Sequence, residues 1–141
     1  MWNVKNLQWL DLAYNKLTEI EDELLNFPQL KVLYLHGNDI RCLEDTRKLT
    51  HLPNLHTLSL YGNPIEQIQG YRLWVLGVLY EESETLKRLD SVLVTRLEFE
   101  KVIVWNERVH SSQSKRLKNL KPPEKHSYSK VISEVKKGKK E

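Results

Sequence analysis

Apolar residues recur along the chain with a fixed spacing. The pattern Leu-x-x-Leu-x-Leu-x-x-Asn-x-(Leu/Ile)-x-x-(Leu/Ile) is read three times, beginning at Leu7, Leu30 and Leu55. Successive repeats begin 23 and 25 residues apart. A period of this length is typical of a solenoid, in which each repeat contributes one layer and neighbouring layers share a continuous core.

Each repeat contains a short stretch in which buried and exposed positions alternate. Leu10 and Leu12, for example, alternate with Trp9 and Asp11, and this period of two predicts a β-strand with one buried face. Because a convex connection separates each strand from the next, the strands are expected to lie parallel in one concave sheet. A last strand is predicted within residues 86–90.

One asparagine per repeat follows the predicted strand, namely Asn15, Asn38 and Asn63. A buried Asn side chain carries both donors and an acceptor, so stacked Asn residues can satisfy the backbone groups of each turn. We therefore predict a structural asparagine ladder. Replacing one member with Ala would leave those backbone groups unpaired, at about 1–3 kcal/mol.

The connections between strands have helical patterns. Residues 21–27 and 45–52 predict short helical turns, each followed by a proline, which cannot continue a helix. Residues 70–80 are almost entirely apolar and predict a helix buried on most sides. Thr95-x-x-Glu98 is a capping-box pattern that predicts a final helix to about Trp105. The expected fold is an α/β solenoid with a parallel concave sheet of about four strands, a helical C-terminal cap and an extended basic tail.

Charge divides the chain into two regions. Residues 1–114 carry 12 Lys and Arg against 16 Asp and Glu, whereas residues 115–141 carry 10 against 3. Because the apolar periodicity also fades after His110, we predict a repeat domain with its cap over residues 1–109 and an extended basic tail over residues 110–141. The expected contact residues of the tail are its basic ones, Lys115, Arg116, Lys118, Lys121, Lys136, Lys137, Lys139 and Lys140.

Three explanations of the basic tail stay open. It can keep the chain soluble, it can bind an acidic protein surface such as the microtubule lattice, or it can serve as a nuclear signal or nucleic-acid arm. Apolar residues between the charges, such as Leu117, Tyr128 and Val131, favour docking along a protein surface over a purely electrostatic arm.

Four short motifs carry a resemblance to known proteins. They are Val32-Leu33-Tyr34-Leu35-His36-Gly37-Asn38, Gly62-Asn63-Pro64, Gly70-Tyr71-Arg72 and Val104-Trp105, within about residues 6–123. They resemble intracellular leucine-rich-repeat proteins with a C-terminal cap, in particular the leucine-rich-repeat-containing protein 51 family of ciliated organisms. The resemblance implies a scaffold of the ciliary or flagellar axoneme, in the cytoplasm and cytoskeleton, with axonemal subunits and tubulin as partners. The same class includes spliceosomal and phosphatase-regulating proteins, so a nuclear adaptor is the alternative.

The outward-facing strand residues are the candidates for binding a protein. Trp and Tyr side chains on a rigid surface are common interface anchors. The predicted contact residues of the concave face are Trp9, Asp11, Tyr34, His36, Ser59, Tyr61 and Arg88, with Asp90 beside Arg88 on the last strand. The alternative is that the aromatic rings only cover the sheet.

No other chemistry is indicated by the sequence. It has no serine elbow, phosphate loop or paired carboxylates, so neither an enzyme nor a cofactor nor a small-molecule substrate is expected. His36 has no second ligand at metal-binding spacing. Cys42 is the only cysteine, which excludes an internal disulfide and favours the cytosol. No apolar run approaches the roughly 20 residues of a membrane helix, and no membrane contact is expected.

Overall fold

The computed structural model describes residues 4–82 and 85–117. This part of the chain contains the strands β1 (Trp9–Asp11), β2 (Val32–Tyr34), β3 (Thr57–Ser59), β4 (Arg88–Leu89) and β5 (Val92–Leu93), and the helices α1 (Tyr71–Glu82) and α2 (Arg96–Leu117). Short 3₁₀ helices lie at Val4–Asn6, Asp22–Asn26, Leu43–His51 and Pro64–Gln67. The chain divides into two compact units, one ending at Val94 and the other beginning at Thr95.

The strands form one sheet in the order in which they occur along the chain. Strands β1 to β4 run parallel, as predicted, and the register places Leu10, Leu33, Leu58 and Leu89 side by side. One leucine of each repeat therefore stands in a continuous row, because the sequence period equals one layer of the solenoid.

Strand β5 was not predicted, and it makes the sheet five-stranded. It folds back antiparallel on β4, with Arg88 paired to Leu93. The turn between them consists of Asp90 and Ser91, which both have positive φ angles, 55° and 67°. Two successive residues in the left-handed region make the tight turn that joins antiparallel strands, so the parallel stack ends in a hairpin.

The core lies between the sheet and the convex connections. Its completely buried members are the repeat leucines and isoleucines Leu30, Leu33, Leu35, Ile40, Leu58, Leu60, Ile65 and Leu89. The equivalent residues of the first repeat, Leu10 and Leu12, are only half-buried, because β1 has a single neighbouring strand in the described sheet.

The convex elements agree with the predicted helical turns in place and in type. The 3₁₀ helices Asp22–Asn26 and Leu43–His51 occupy the two predicted segments, and α1 packs against the second of them. The predicted burial of α1 is confirmed, since Val75 and Leu76 are completely buried.

Helix α2 belongs to the second unit and is longer than the capping pattern predicts. The Glu98 backbone N–H donates to Thr95 Oγ1 at 3.2 Å, which is the predicted start. The described helix extends to Leu117, however, and so continues past Trp105. Residues 110–117 are therefore helical where an extended segment was expected. The boundary between domain and tail at 109/110 stays a prediction.

Candidate protein-binding surface

The concave surface begins with two aromatic rings on neighbouring strands. Trp9 lies on β1 and Tyr34 on β2, and their ring centroids are 5.9 Å apart at an interplanar angle of 87°. This edge-to-face arrangement is one that aromatic pairs prefer. Trp9 is nevertheless 56% exposed. The two rings thus form a right-angled corner that is open to solvent.

A second aromatic group continues this surface towards β3. The rings of His36 and Tyr61 are stacked, with centroids 4.4 Å apart and an interplanar angle of 8°. Tyr14 meets His36 edge-on at 5.2 Å, and Tyr34 lies 5.8 Å from the same ring. Desolvation raises the pKa of the Tyr61 hydroxyl, and the nearby Tyr14, Asp90 and Asp11 act in the same direction. The predicted residues Trp9, Tyr34, His36 and Tyr61 therefore form one aromatic row.

Tyr14 is a member of this row that the sequence analysis missed. It immediately precedes the repeat asparagine, at the offset where the next two repeats have Gly37 and Gly62. All three residues have positive φ angles, 56°, 71° and 69°. A bulky residue in that conformation is strained. The sequence did contain a signal for this residue, namely a tyrosine at the repeat position where the next two repeats have glycine.

Gly37 makes room for the Tyr14 ring. A Cβ at position 37 would lie 2.5 Å from Tyr14 Cδ1, closer than real contacts allow. The glycine is therefore needed for its own left-handed backbone and for the ring that covers it.

Ser59 was predicted to be an exposed contact residue, but the structure shows that it is buried. It is 3% exposed, and a hydrogen bond of 2.7 Å joins its Oγ to His36 Nδ1. The register partner of Ser59 is Tyr34, and His36 lies two residues further along. The imidazole therefore covers the hydroxyl from a diagonal position, which is within reach of a ring. Ser59 orients His36 and presents little surface of its own.

The charged residues of the concave face lie at its two ends. Asp11 is exposed on β1, where its Oδ1 accepts the Ala13 N–H at 2.9 Å. Arg88 is exposed on β4. Three strand spacings of about 4.8 Å separate β1 from β4, so these charges lie on the order of 14 Å apart.

Asp90 is half-buried, and both of its carboxylate oxygens are engaged within the fold. Its Oδ1 accepts the backbone N–H groups of Leu60 and Tyr61 at 2.6 and 3.0 Å, and its Oδ2 accepts the Tyr71 hydroxyl at 2.7 Å. In the earlier repeats the equivalent N–H group of Leu35 donates to the Ser59 carbonyl of the next strand. The Asp90 side chain therefore takes the place of the missing strand carbonyl.

The asparagine ladder is present for two of its three predicted members. Asn63 Oδ1 accepts the Ile40 N–H at 3.0 Å, and its Nδ2 donates to the Leu35 and Leu60 carbonyls at 2.9 and 2.8 Å. Asn38 bridges in the same way to the first repeat, and accepts the Leu17 N–H at 3.1 Å. Each of these side chains joins its own repeat to the preceding one.

Asn15 was wrongly predicted to be a buried member of that ladder. It is exposed, and its Nδ2 donates only to the Leu12 and Ala13 carbonyls of its own turn. No preceding repeat stands against it in the described residues, so it bridges no layers.

The predicted tail contacts cannot be placed on this surface. The backbone of Lys115 and Arg116 belongs to α2. The others, Lys118, Lys121, Lys136, Lys137, Lys139 and Lys140, lie outside the described residues.

Residues 4–82 and 85–117 hold no group of three His, Cys, Asp or Glu residues that could bind a metal ion. Cys42 is exposed. No helix of the described part of the chain is long and apolar enough to cross a membrane.

The layered parallel strands, the asparagine bridges between layers and the 3₁₀ connections define a leucine-rich-repeat solenoid. The family described as Leucine Rich repeats (2 copies) matches residues 5–45. The described fold is therefore that of a leucine-rich-repeat domain, and domains of this class are typically non-enzymatic and bind other proteins.

Within this class the chain is similar to leucine-rich repeat-containing protein 51. The mouse (Mus musculus) protein is 45% identical over 101 residues, and the chimpanzee (Pan troglodytes) protein is 43% identical over 101; each match covers 72% of this chain and 50% of the relative. The bovine (Bos taurus) protein is 44% identical over 75 residues, which are 53% of this chain and 39% of the relative. The resemblance inferred from the motifs is confirmed. The chain spans half or less of the length of these relatives.

Solved structures of the same fold agree with the class. The crystal structure of the Drosophila melanogaster SNF/U2A′ complex matches with a TM-score of 0.65 at 23% identity, over 75% of this chain and 62% of that one. The Mex67 leucine-rich-repeat domain from Chaetomium thermophilum matches with a TM-score of 0.54 at 24% identity, over 67% and 64%. At these identities the likeness concerns the fold alone.

Proposed function

We propose that this protein is a scaffold or adaptor that holds a protein partner on its concave face, as a structural component of the ciliary or flagellar axoneme. It acts in the cytoplasm and cytoskeleton, with axonemal subunits and tubulin as partners. The proposal has two parts, the binding face and the axonemal setting, and different observations support them.

The aromatic row is the observation that carries the binding face. Single exposed apolar residues are normal on protein surfaces. Here Trp9, Tyr34, His36, Tyr61 and Tyr14 touch one another in a continuous row on a rigid sheet. A partner that covers these rings gains about 25 cal/mol for each Å² of apolar surface removed from water. Large, partly exposed aromatic rings are also the commonest anchors of interfaces.

The axonemal setting is supported by similarity and by charge. Relatives named leucine-rich repeat-containing protein 51 share 43–45% identity with this chain over 101 residues. Residues 115–141 carry 10 Lys and Arg against 3 Asp and Glu, which suits an acidic surface such as the microtubule lattice. A nuclear adaptor is the alternative. The SNF/U2A′ structure belongs to a complex, but at 23% identity it does not favour a nuclear partner for this chain.

The binding face is tested by comparing the proteins that crosslink to three forms of the full chain in extracts of isolated cilia. We expect the double variant Trp9→Ala/Tyr34→Ala to lose the axonemal proteins that the unaltered chain captures. Ile68→Ala is the matched control, because Ile68 is an exposed apolar residue that lies outside the sheet. Undiminished capture by a folded double variant would refute the concave face as the binding site.

The tubulin contact is tested by co-sedimentation with stabilised microtubules across a salt series. The full chain is compared with a chain ending at Leu117, which keeps all of α2. We expect only the full chain to pellet, and less of it as salt rises, because exposed charges are screened. A full chain with its four last lysines changed to Gln (Lys136, Lys137, Lys139 and Lys140) is the matched control for charge. No pelleting at low salt excludes direct lattice binding, and tail-dependent nuclear import supports the alternative.

A further inference from the structure

The Asp11 carboxylate is the one acidic group of the concave strands that the described fold leaves available. Its Oδ1 accepts a single backbone N–H, that of Ala13, and no ion pair among the described residues includes Asp11. Asp90, by contrast, uses both oxygens on Leu60, Tyr61 and Tyr71. One carboxylate therefore completes the fold, whereas the other is exposed on the surface where a partner is expected.

Two aromatic rings flank this carboxylate. Trp9 precedes Asp11 by two residues on β1 and so shares its face of the sheet, and Tyr34 is its register partner on β2. The two rings meet at 87° and enclose a corner beside the carboxylate. An aromatic face carries negative electrostatic potential, and it attracts a cation positioned over it, Trp most strongly. The two rings and the carboxylate thus all favour a positively charged group of the partner.

We propose that Trp9, Asp11 and Tyr34 form a binding site for a cationic side chain of the partner, with arginine preferred over lysine. The site deepens the proposed function and rests on it, since it names the chemistry of what lies on the concave face. A guanidinium group is planar, stacks on an aromatic ring and still directs N–H donors sideways to a carboxylate. A lysine ammonium lacks the planar stacking surface.

The net charge of the region that contains the repeats agrees with this polarity. Residues 1–114 carry more acidic than basic residues, 16 against 12. The cation of the concave strands, Arg88, lies at the opposite end on β4, on the order of 14 Å from Asp11 by strand spacing. At that distance a partner cation at Asp11 is largely screened from Arg88 at physiological salt. Arg88 therefore does not oppose the binding of a cation at Asp11.

The site is tested with three blocked tripeptides that differ only in the central residue: arginine, lysine or citrulline, the neutral analogue of arginine. Each is titrated into the isotope-labelled full chain, and the indole N–H signal of Trp9 is followed by NMR. We expect a saturable shift with the arginine peptide, a smaller one with lysine and none with citrulline. An equal shift with citrulline would overturn the inference, because it would show contact without recognition of charge.

Two variants separate recognition of charge from general effects on the surface. Asp11→Asn keeps the size of the side chain, and we expect it to weaken binding of the arginine peptide about fivefold, the scale of one exposed ion pair. Glu23→Gln makes the same change of charge at an exposed residue of the 3₁₀ helix Asp22–Asn26, outside the sheet, and should leave the affinity unchanged. Unchanged affinity in Asp11→Asn overturns the inference.

Capture from ciliary extracts distinguishes this inference from the proposed function. If Trp9→Ala/Tyr34→Ala loses the captured axonemal protein and Asp11→Asn retains it in full, the concave binding face is supported and the cation site is refuted. If both variants retain the captured protein in full, the binding face itself is refuted. Loss in both, with retention by Glu23→Gln, supports the cation site.

Discussion

At the scale of single residues, the same amino acid contributes differently to stability in different repeats. Asn63 joins two layers through three hydrogen bonds and is 3% exposed, whereas Asn15 bonds only within its own exposed turn. We expect Asn63→Ala to lower the free energy of unfolding by about 1–3 kcal/mol, because buried backbone groups lose their partners. Asn15→Ala should cost less than about 0.5 kcal/mol, as surface substitutions usually do. Urea denaturation measures both, and equal losses would contradict the layered ladder.

Gly37 and Gly70 allow backbone strain to be separated from side-chain crowding. Both have positive φ, 71° and 78°, but only at Gly37 would a Cβ meet another group, the Tyr14 ring. We expect each Gly→Ala change to cost about 1–2 kcal/mol of backbone strain in thermal or urea unfolding. Only Gly37→Ala should also move the NMR signals of Tyr14 and His36. Unmoved signals there would show that the Tyr14 ring does not lie on Gly37.

At the scale of elements, the β4–β5 hairpin closes the stack with a side chain in place of a strand. Asp90 accepts two N–H groups of the preceding repeat and the hydroxyl at the start of α1. It therefore links the sheet to the convex helix. Because Asp90 is itself in the left-handed region, which Asp and Asn tolerate better than other residues with side chains, its type suits both the turn and the bond.

The contact between Tyr71 and Asp90 predicts a dependence of stability on pH. Burial, followed by the Asp90 charge, raises the pKa of Tyr71 far above its usual value of about 10. Above about pH 10 the unfolded chain releases this proton while the folded chain keeps it, so the folded state binds more protons. The contribution of Tyr71 to stability is therefore fully present below about pH 10. Above about pH 10 the free energy of unfolding should fall by about 1.4 kcal/mol per pH unit.

Tyr71→Phe isolates that contribution from other groups that titrate in alkali. The free energies of unfolding of the two proteins are measured in urea at a series of pH values. The series starts at about pH 8 and continues above the ordinary tyrosine pKa of about 10. The unaltered chain should lose its advantage over Tyr71→Phe as pH rises through that range. A constant difference would mean that Tyr71 titrates in the folded chain as it does in the unfolded one.

At the scale of the whole molecule, stability is concentrated in the middle of the repeat unit. Leu58 is completely buried between Leu33 and Leu89, whereas Leu10 occupies the edge strand and is half-buried. We expect Leu58→Ala to cost about 2–5 kcal/mol, a large share of the roughly 5–15 kcal/mol that stabilises a domain. Leu10→Ala should cost clearly less. Circular dichroism in urea measures both, and similar losses would contradict a core that is poorest at β1.

The sequence by itself determined the four parallel strands, their order and the core positions of the second and third repeats. These follow from a period of two within each strand and a repeat of 23 to 25 residues, which are both local patterns. It also placed Trp9, Tyr34, His36 and Tyr61 on one face, because alternate residues of a strand share a side. The length of α2 was not predicted, since its capping pattern marks a start and no breaker residue marks its end before Leu117.

Only the tertiary structure decided which of these residues are available to a partner. Asn15 meets no preceding layer among the described residues, Ser59 is covered by His36 from the preceding repeat, and Asp90 is engaged by groups about 20 to 30 residues away. The position of the Tyr14 ring likewise depends on Gly37 in the next repeat. Each outcome is set by a neighbour that belongs to another layer. A local pattern fixes which face a side chain is on, but the adjoining layer fixes whether its polar groups are already satisfied.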